Sequence, residues 1–227
     1  MAKILLAEDD ENLGFMIEDN LQEAGHEVTW SQDGSEALVQ FEKGQFELCV
    51  LDVMMPKMDG FELASRIRSA DEFVPIIFLT AKSQEEDRLG GFEVGGDDYV
   101  TKPFSMKELE YRINVFIRRN QPQSEKSSQI EHFGQSTYDE RNLTYCCNET
   151  SHSLTQMEGH LLKLLLQNRN ELVKREEILE EIWGENDYFK GRSLDVFITR
   201  LRKYLKEDST LEIRNHHGVG FSLVVSD

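Results

Sequence analysis

Five times within residues 3–119 a short apolar run gives way to polar residues and then to an amphipathic stretch with helical spacing. The runs fall at 3–7, 26–30, 47–51, 75–79 and 98–101, and the helical segments at 12–24, 34–43, 60–69, 83–94 and 105–119. Repeated strand–helix units of this kind, joined by short connections, point to a parallel sheet with helices on both faces. Asp33-Gly34 and Asp59-Gly60 mark turns at two helix starts.

The residues that end these runs carry the chemistry. Glu8-Asp9-Asp10 follow Ile4-Leu5-Leu6-Ala7, Asp52 follows Leu48-Cys49-Val50-Leu51, Thr80 follows Ile76-Ile77-Phe78-Leu79, and Lys102 follows Tyr99-Val100-Thr101. In one parallel sheet all of them emerge at the same edge, and open α/β sheets bind ligands outside the carboxyl ends of their strands. An acidic pair, a third carboxylate, a hydroxyl and an ammonium suit a hard divalent cation and a transferable phosphoryl group. Without a cation the three carboxylates repel one another, so the empty site is expected to be strained. Acidic residues at strand ends also cap helices, a reading open for Glu8-Asp9 taken alone. The shared register of Asp52, Thr80 and Lys102 favours the site.

Gln121-Pro122-Gln123-Ser124-Glu125-Lys126-Ser127-Ser128-Gln129 is polar and contains no apolar residue, as a flexible linker does. The expected organisation is a first domain over 1–120, a linker over 121–130 and a second domain over 131–227. In the second domain, strand-like pieces lie near 131–136, 142–147 and 151–154, and Thr155 with Glu158 has capping-box spacing. Three helices follow: one to about Asn168, one over 174–183, and one from Ser193 to Lys206. Leu211-Glu212-Ile213-Arg214 and Phe221-Ser222-Leu223-Val224-Val225, joined through Gly218 and Gly220, read as a β-hairpin. Three helices and a hairpin outline a winged helix-turn-helix.

The net charge of −18 argues against indiscriminate nucleic-acid binding. It is uneven: residues 1–120 carry 12 Lys+Arg against 25 Asp+Glu, whereas Arg192, Arg200, Arg202, Lys203 and Lys206 face only Asp195 within 192–206. Such a patch in an acidic chain is either a nucleic-acid footprint or a solvated helix face. Cys49, Cys146 and Cys147 are too few and badly spaced for a disulfide framework. No run approaches the ~18 apolar residues of a membrane span, and the N-terminus leads directly into a strand. A cytoplasmic protein without membrane contact is the expectation.

Glu8-Asp9, Asp52 with Met55-Pro56 and Asp59-Gly60, Thr80-Ala81, and Asp97-Asp98-Tyr99 leading to Lys102-Pro103-Phe104 give residues 1–119 a specific likeness. They resemble the receiver domain of a two-component response regulator. The resemblance implies a flavodoxin-like doubly wound fold, with Asp52 accepting a phosphoryl group from a sensor histidine kinase. It implies Mg²⁺ held by Glu8, Asp9, Asp52 and the backbone carbonyl of Met54, with Lys102 and Thr80 meeting the phosphoryl oxygens. Thr80 and Tyr99 become the switch pair, Tyr99 packing inward once Thr80 is drawn to the phosphoryl group. Lys102-Pro103 is a candidate cis peptide. A haloacid-dehalogenase-type phosphatase also uses an aspartate and Mg²⁺, but it needs a second aspartate two residues on, where this chain has Met54. A phosphoacceptor with at most slow self-dephosphorylation, rather than an enzyme, is the expectation.

Arg88, Glu93, Asp97, Asp98, Glu108, Arg112 and Arg119 carry charges suited to a symmetric dimer on activation. Relatives pair several of these positions across an isologous interface. This chain has Asn114 where they usually place a lysine, and Gly96 where they often have alanine, so a looser loop is expected there.

Residues 131–227 resemble the winged-helix DNA-binding domain of the OmpR/PhoB subfamily. The match rests on Thr155-Gln156-Met157-Glu158, Arg175-Glu176-Glu177-Ile178-Leu179, Ile182-Trp183-Gly184, Leu194-Asp195-Val196, Arg200-Leu201-Arg202-Lys203 and Gly218-Val219-Gly220-Phe221. The resemblance implies transcription control on double-stranded DNA with tandem half-sites, and RNA polymerase contact through the loop 185–190. In the third helix Leu194, Phe197, Ile198, Leu201 and Leu205 share an apolar face, and Arg192, Val196, Thr199, Arg200 and Lys203 share another. A helix fits the major groove, where Arg reads guanine. Arg200 is assigned base contact, with Val196 and Thr199 as lesser candidates. Arg192, Arg202 and Lys203 are assigned to phosphates, and Asp195 to orienting a neighbouring arginine. His217 stands where relatives place a wing arginine, and a neutral histidine is a weaker partner for the minor groove. Gly159 replaces the usual aromatic, at a helix cost of ~1 kcal/mol relative to alanine.

Overall fold

The computed structural model describes residues 1–81, 96–120, 130–184 and 188–226. It divides into two compact units, Met1–Pro122 and Gln123–Asp227. Residues 121–129 of the expected linker lie outside the described residues, as does the helix expected over 83–94, and Ile130 already belongs to a strand.

The first unit runs β1 (Lys3–Ala7), α1 (Glu11–Glu23), β2 (Glu27–Ser31), α2 (Gly34–Lys43), β3 (Leu48–Asp52), α3 (Gly60–Ala70), β4 (Ile76–Ala81), β5 (Asp98–Lys102) and α4 (Met106–Asn120). The five strands form one sheet in the order β2-β1-β3-β4-β5, every pair parallel. Ile4, Leu5, Leu6 and Ala7 of β1 and Leu48, Cys49, Val50 and Leu51 of β3 are all fully buried. Helices cover both faces of a parallel sheet, so its central strands are apolar on both sides. The helix starts are fixed locally: Asp10 accepts from the Asn12 and Leu13 amides, Asp33 from Glu36, and Asp59 from Glu62. Each such cap contributes about 1 kcal/mol. Capping and strand direction together bring the carboxyl ends of β1, β3, β4 and β5 to one edge.

The second unit begins with an antiparallel sheet, β6 (Ile130–Phe133), β7 (Ser136–Asp139), β8 (Thr144–Cys147) and β9 (Thr150–Ser153), paired in chain order. Then come α5 (Gln156–Gln167), the short β10 (Val173–Lys174), α6 (Arg175–Trp183), α7 (Tyr188–Leu205) and the hairpin β11 (Leu211–His216) and β12 (Gly220–Val225). β10 pairs with β12, completing a three-stranded wing sheet. The Thr155–Glu158 capping box is present, and α6 ends at Gly184 with φ 76°, the left-handed stop that glycine allows. α7 starts at Tyr188 rather than Ser193. The helix runs through Gly191 despite its ~1 kcal/mol cost relative to alanine. Tyr188, Phe189 and Lys190, assigned to a loop, are therefore helical. Leu194, Phe197, Ile198, Leu201 and Leu205 are all buried, as their spacing required. Among the described residues no helix is long and apolar enough to cross a membrane.

Gly159 is explained by what covers it. A Cβ there would lie 2.6 Å from Leu143 Cδ2 and 2.7 Å from the Tyr138 hydroxyl. The Leu143 and Tyr138 side chains occupy the space beside this position. Gly159→Ala is therefore expected to lower stability by about 1 kcal/mol or more through overpacking, although alanine gains ~1 kcal/mol in helix propensity. A urea denaturation curve moving to higher midpoint would refute this packing argument.

Candidate functional site

At the carboxyl edge of the first unit the carboxylates of Glu8, Asp9 and Asp52 lie within 4.8 Å of one another. Glu8 and Asp52 are buried and Asp9 is exposed. Lys102 reaches across from β5: its Nζ donates to Glu8 Oε1 and Oε2 at 2.9 and 2.8 Å and to Asp52 Oδ2 at 2.7 Å. The Met54 amide donates to the other oxygen of Asp52 at 3.2 Å. Thr80 is buried one register step beyond Leu79, the partner of Asp52. The Lys102–Pro103 peptide is cis.

The expected repulsion among the carboxylates is thus partly relieved by one ammonium. Burial pushes the Glu8 carboxyl up to about 7; Lys102 opposes the rise and Asp52 adds to it. Burial works against the Lys102 charge, but its bonds to Asp52 and Glu8 outweigh that and raise its pKa. The raised Glu8 value has a definite sign. Its favourable contribution is complete below the unfolded carboxylate value of 4.5 and is lost as pH rises through about 7. Metal-free protein should therefore lose about 3 kcal/mol from this group between pH 4 and pH 8, and Glu8→Gln should abolish that part of the slope. Urea denaturation in the presence of a chelator across this range checks it; parallel pH profiles for the two proteins would refute it.

Tyr99 is already inward, packed on Phe78 with ring centroids 5.1 Å apart. Gly96 makes this possible, since a Cβ there would lie 2.5 Å from the Phe78 ring and 3.2 Å from the Tyr99 hydroxyl. The glycine read as a loosening of the loop instead admits a close aromatic contact.

Of the charges assigned to a dimer surface, Arg88 and Glu93 lie outside the described residues, as does the side chain of Arg119. The others pair within the chain. Asp97 is buried, accepts from Arg68 at 2.6 Å, and caps the Ile76 amide. Arg112 is buried between Asp98 at 3.1 Å and Glu108 at 2.7 Å. Burial opposes the guanidinium charge, but Asp98 and Glu108 hold its pKa above the usual value.

In the second unit α7 presents Thr199 and Lys203 to solvent and leaves Val196 half-buried; the side chain of Arg192 lies outside the described residues. Arg200 is placed differently from its assignment as a base reader. Its Nη1 donates to the buried Glu158 carboxylate at 3.1 Å, so part of the guanidinium is turned inward rather than offered to a base. Arg202 donates through Nε and Nη2 to the Ile213 carbonyl, clipping α7 to the wing. Asp195 holds Arg175 in a two-bond pair at 2.8 Å, as its assignment to orienting an arginine anticipated. His217 is exposed at the wing, and its neighbour His216 is tied to Ser222 at 2.9 Å. Glu158 was legible in the sequence only as a cap. Its second role needs the distance between α5 and α7, which spacing along the chain does not encode.

An acidic phosphoryl-type pocket joined to a winged helix defines a signal-responsive DNA-binding protein. Residues 4–114 match the response regulator receiver domain, and residues 149–223 match the transcriptional regulatory protein C-terminal domain. The chain is 45% identical over 225 residues to the transcriptional regulatory protein RprY of Bacteroides fragilis, covering 99% of this chain and 95% of that protein. It is 36% identical over 222 residues to the response regulator ArlR of Staphylococcus aureus, covering 97% and 99%. The crystal structure of the Thermotoga maritima response regulator DrrB, an OmpR/PhoB homologue, matches over 100% of both chains with 30% identity and a TM-score of 0.53. The chain belongs to the OmpR/PhoB subfamily of response regulators and is a DNA-binding response regulator that acts in transcription.

Proposed function

We propose that Asp52 receives a phosphoryl group from a sensor histidine kinase and that phosphorylation governs DNA binding by the second unit. The observation carrying this reading is the meeting of Glu8, Asp9, Asp52 and Lys102 at one sheet edge. The residues fit a divalent cation: three carboxylates converge, and burial drives Glu8 toward the neutral form unless further positive charge arrives. Glu8, Asp9, Asp52 and the Met54 carbonyl would hold Mg²⁺, which when bound neutralises charge on phosphoryl oxygens. An Asp52 carboxylate oxygen forms the new O–P bond as the N–P bond to the donor imidazole breaks, and the leaving imidazole takes up a proton. Lys102 supplies an ammonium and Thr80 a hydroxyl to the transferred oxygens. Met54, two residues after Asp52, has no carboxylate either to protonate a leaving group or to activate water against the acyl phosphate, so the acyl phosphate is expected to persist and the protein to act as a switch rather than a turnover phosphatase.

Phosphorylation would favour a receiver dimer that brings two winged helices to tandem half-sites. Because Asp97, Asp98, Glu108 and Arg112 are paired within the chain, such a dimer would have to exchange largely buried partners rather than add new ones, and breaking a buried pair is costly. RNA polymerase is the partner proposed for the segment 185–190. Selection of DNA from a random pool, with and without beryllofluoride and Mg²⁺, tests the whole reading. Enrichment of a tandem repeat only with the mimic is the expected result, and equal enrichment in both pools would make binding constitutive.

A further inference from the structure

We infer that Trp30 is a positioning residue for the acidic strap Glu8-Asp9-Asp10, bracing it from the edge strand β2; this rests on reading the pocket as a divalent-cation site. The indole Nε1 donates to the Glu8 backbone carbonyl at 2.9 Å. The Glu8 amide in turn donates to the Ser31 carbonyl at 3.1 Å, so both backbone groups of Glu8 are held by consecutive residues of one strand. At the other end of the strap, Asp10 caps α1 through the Asn12 and Leu13 amides, and its carbonyl accepts from Gly14 at 2.8 Å. The Trp30 ring rests on that same glycine: a Cβ at Gly14 would lie 2.2 Å from Cζ2, 2.3 Å from Cε2 and 2.7 Å from Nε1. One side chain therefore grips both the residue before Asp9 and the helix turn that anchors the residue after it. Asp9 itself is exposed, so the direction of its carboxylate depends on how firmly its neighbours are held.

A group bonded to a ligand residue from outside the coordination sphere fixes ligand orientation and thereby affinity. The Trp30–Glu8 bond is of this kind. It acts through the backbone, so it leaves the Glu8 carboxylate free for the pocket. Gly14 is the complementary half of the brace, since no larger residue leaves room for the indole.

The test is binding of Mn²⁺, with Mg²⁺ as competitor, to the full chain, followed by loss of the free-ion electron paramagnetic resonance signal. Trp30→Phe keeps an aromatic ring but removes the N–H and the atoms that crowd position 14. Gly14→Ala keeps the indole but forces it away. Each is expected to weaken Mn²⁺ binding about 3- to 10-fold, and the double variant should be no weaker than Trp30→Phe alone, because the shorter ring leaves space for the added methyl. Unchanged affinity in Trp30→Phe, even with a lower melting temperature, would overturn the brace while leaving the cation site standing. Additive losses in the double variant would also overturn it. Absence of saturable Mn²⁺ binding in the unmodified protein would overturn the cation site and the brace together.

Discussion

Asn in place of Asp52 should abolish phosphoryl uptake from acetyl phosphate, by about 10²-fold or more, the scale of losing an essential nucleophile. The exchange is nearly isosteric. The Met54 amide can still find an oxygen at the position it now reaches at 3.2 Å, and Lys102 keeps its two bonds to Glu8. The fold should therefore survive while a neutral amide replaces the anionic nucleophile. Intact-mass spectrometry after incubation with acetyl phosphate and Mg²⁺ reads the result directly. Phosphoryl uptake by Asp52→Asn at the unmodified rate would move the acceptor to another residue and remove the central element of the proposed switch. Lost uptake with unchanged DNA selection would instead break the proposed link between pocket and operator.

Arg200→Ala should destabilise the second unit by about 3–5 kcal/mol, the usual cost of leaving one member of a buried ion pair behind. Glu158 is only 1% exposed at its side chain while Arg200 is 19% exposed, so the stranded partner would be the carboxylate. In a Glu158→Gln background the same arginine replacement should cost about 1–2 kcal/mol. Glutamine also keeps the capping box with Thr155. Urea denaturation of all four proteins gives the cycle, and equal losses in both backgrounds would show that the pair is not what holds Arg200. The same proteins separate structure from recognition. A loss of guanine preference that persists in the Glu158→Gln background would return Arg200 to reading bases, with the buried pair as its resting position.

Much of the first unit was legible because a parallel sheet states its own chemistry. Strand direction fixes which end of each apolar run becomes the site, so Asp52, Glu8 and Lys102 could be grouped before any distance was known. The Thr155–Glu158 box and the apolar face of α7 were legible for the same reason: both are short-range patterns. What escaped depended on separation in space. Trp30 falls in an expected strand and Gly14 in an expected helix, and nothing along the chain ties the two together, yet the indole rests on the glycine. Arg200 and Thr199 lie side by side along α7, and only the depth of Glu158 in the α5 packing distinguishes the inward residue from the outward one. β10 is two residues long and owes its existence to β12, so it left no periodicity to read.

If the pocket takes a cation as proposed, the tethered ammonium of Lys102 would favour divalent over monovalent ions. With its Nζ bonded to both Glu8 and Asp52, the resting site already contains one unit of positive charge. A sodium or potassium ion entering in its place would exchange one charge for another and would forfeit three short hydrogen bonds. A dication adds a net charge that the third carboxylate, Asp9, is exposed to receive. In a pocket of the proposed kind, the lysine would thus act as a built-in competitor to monovalent ions.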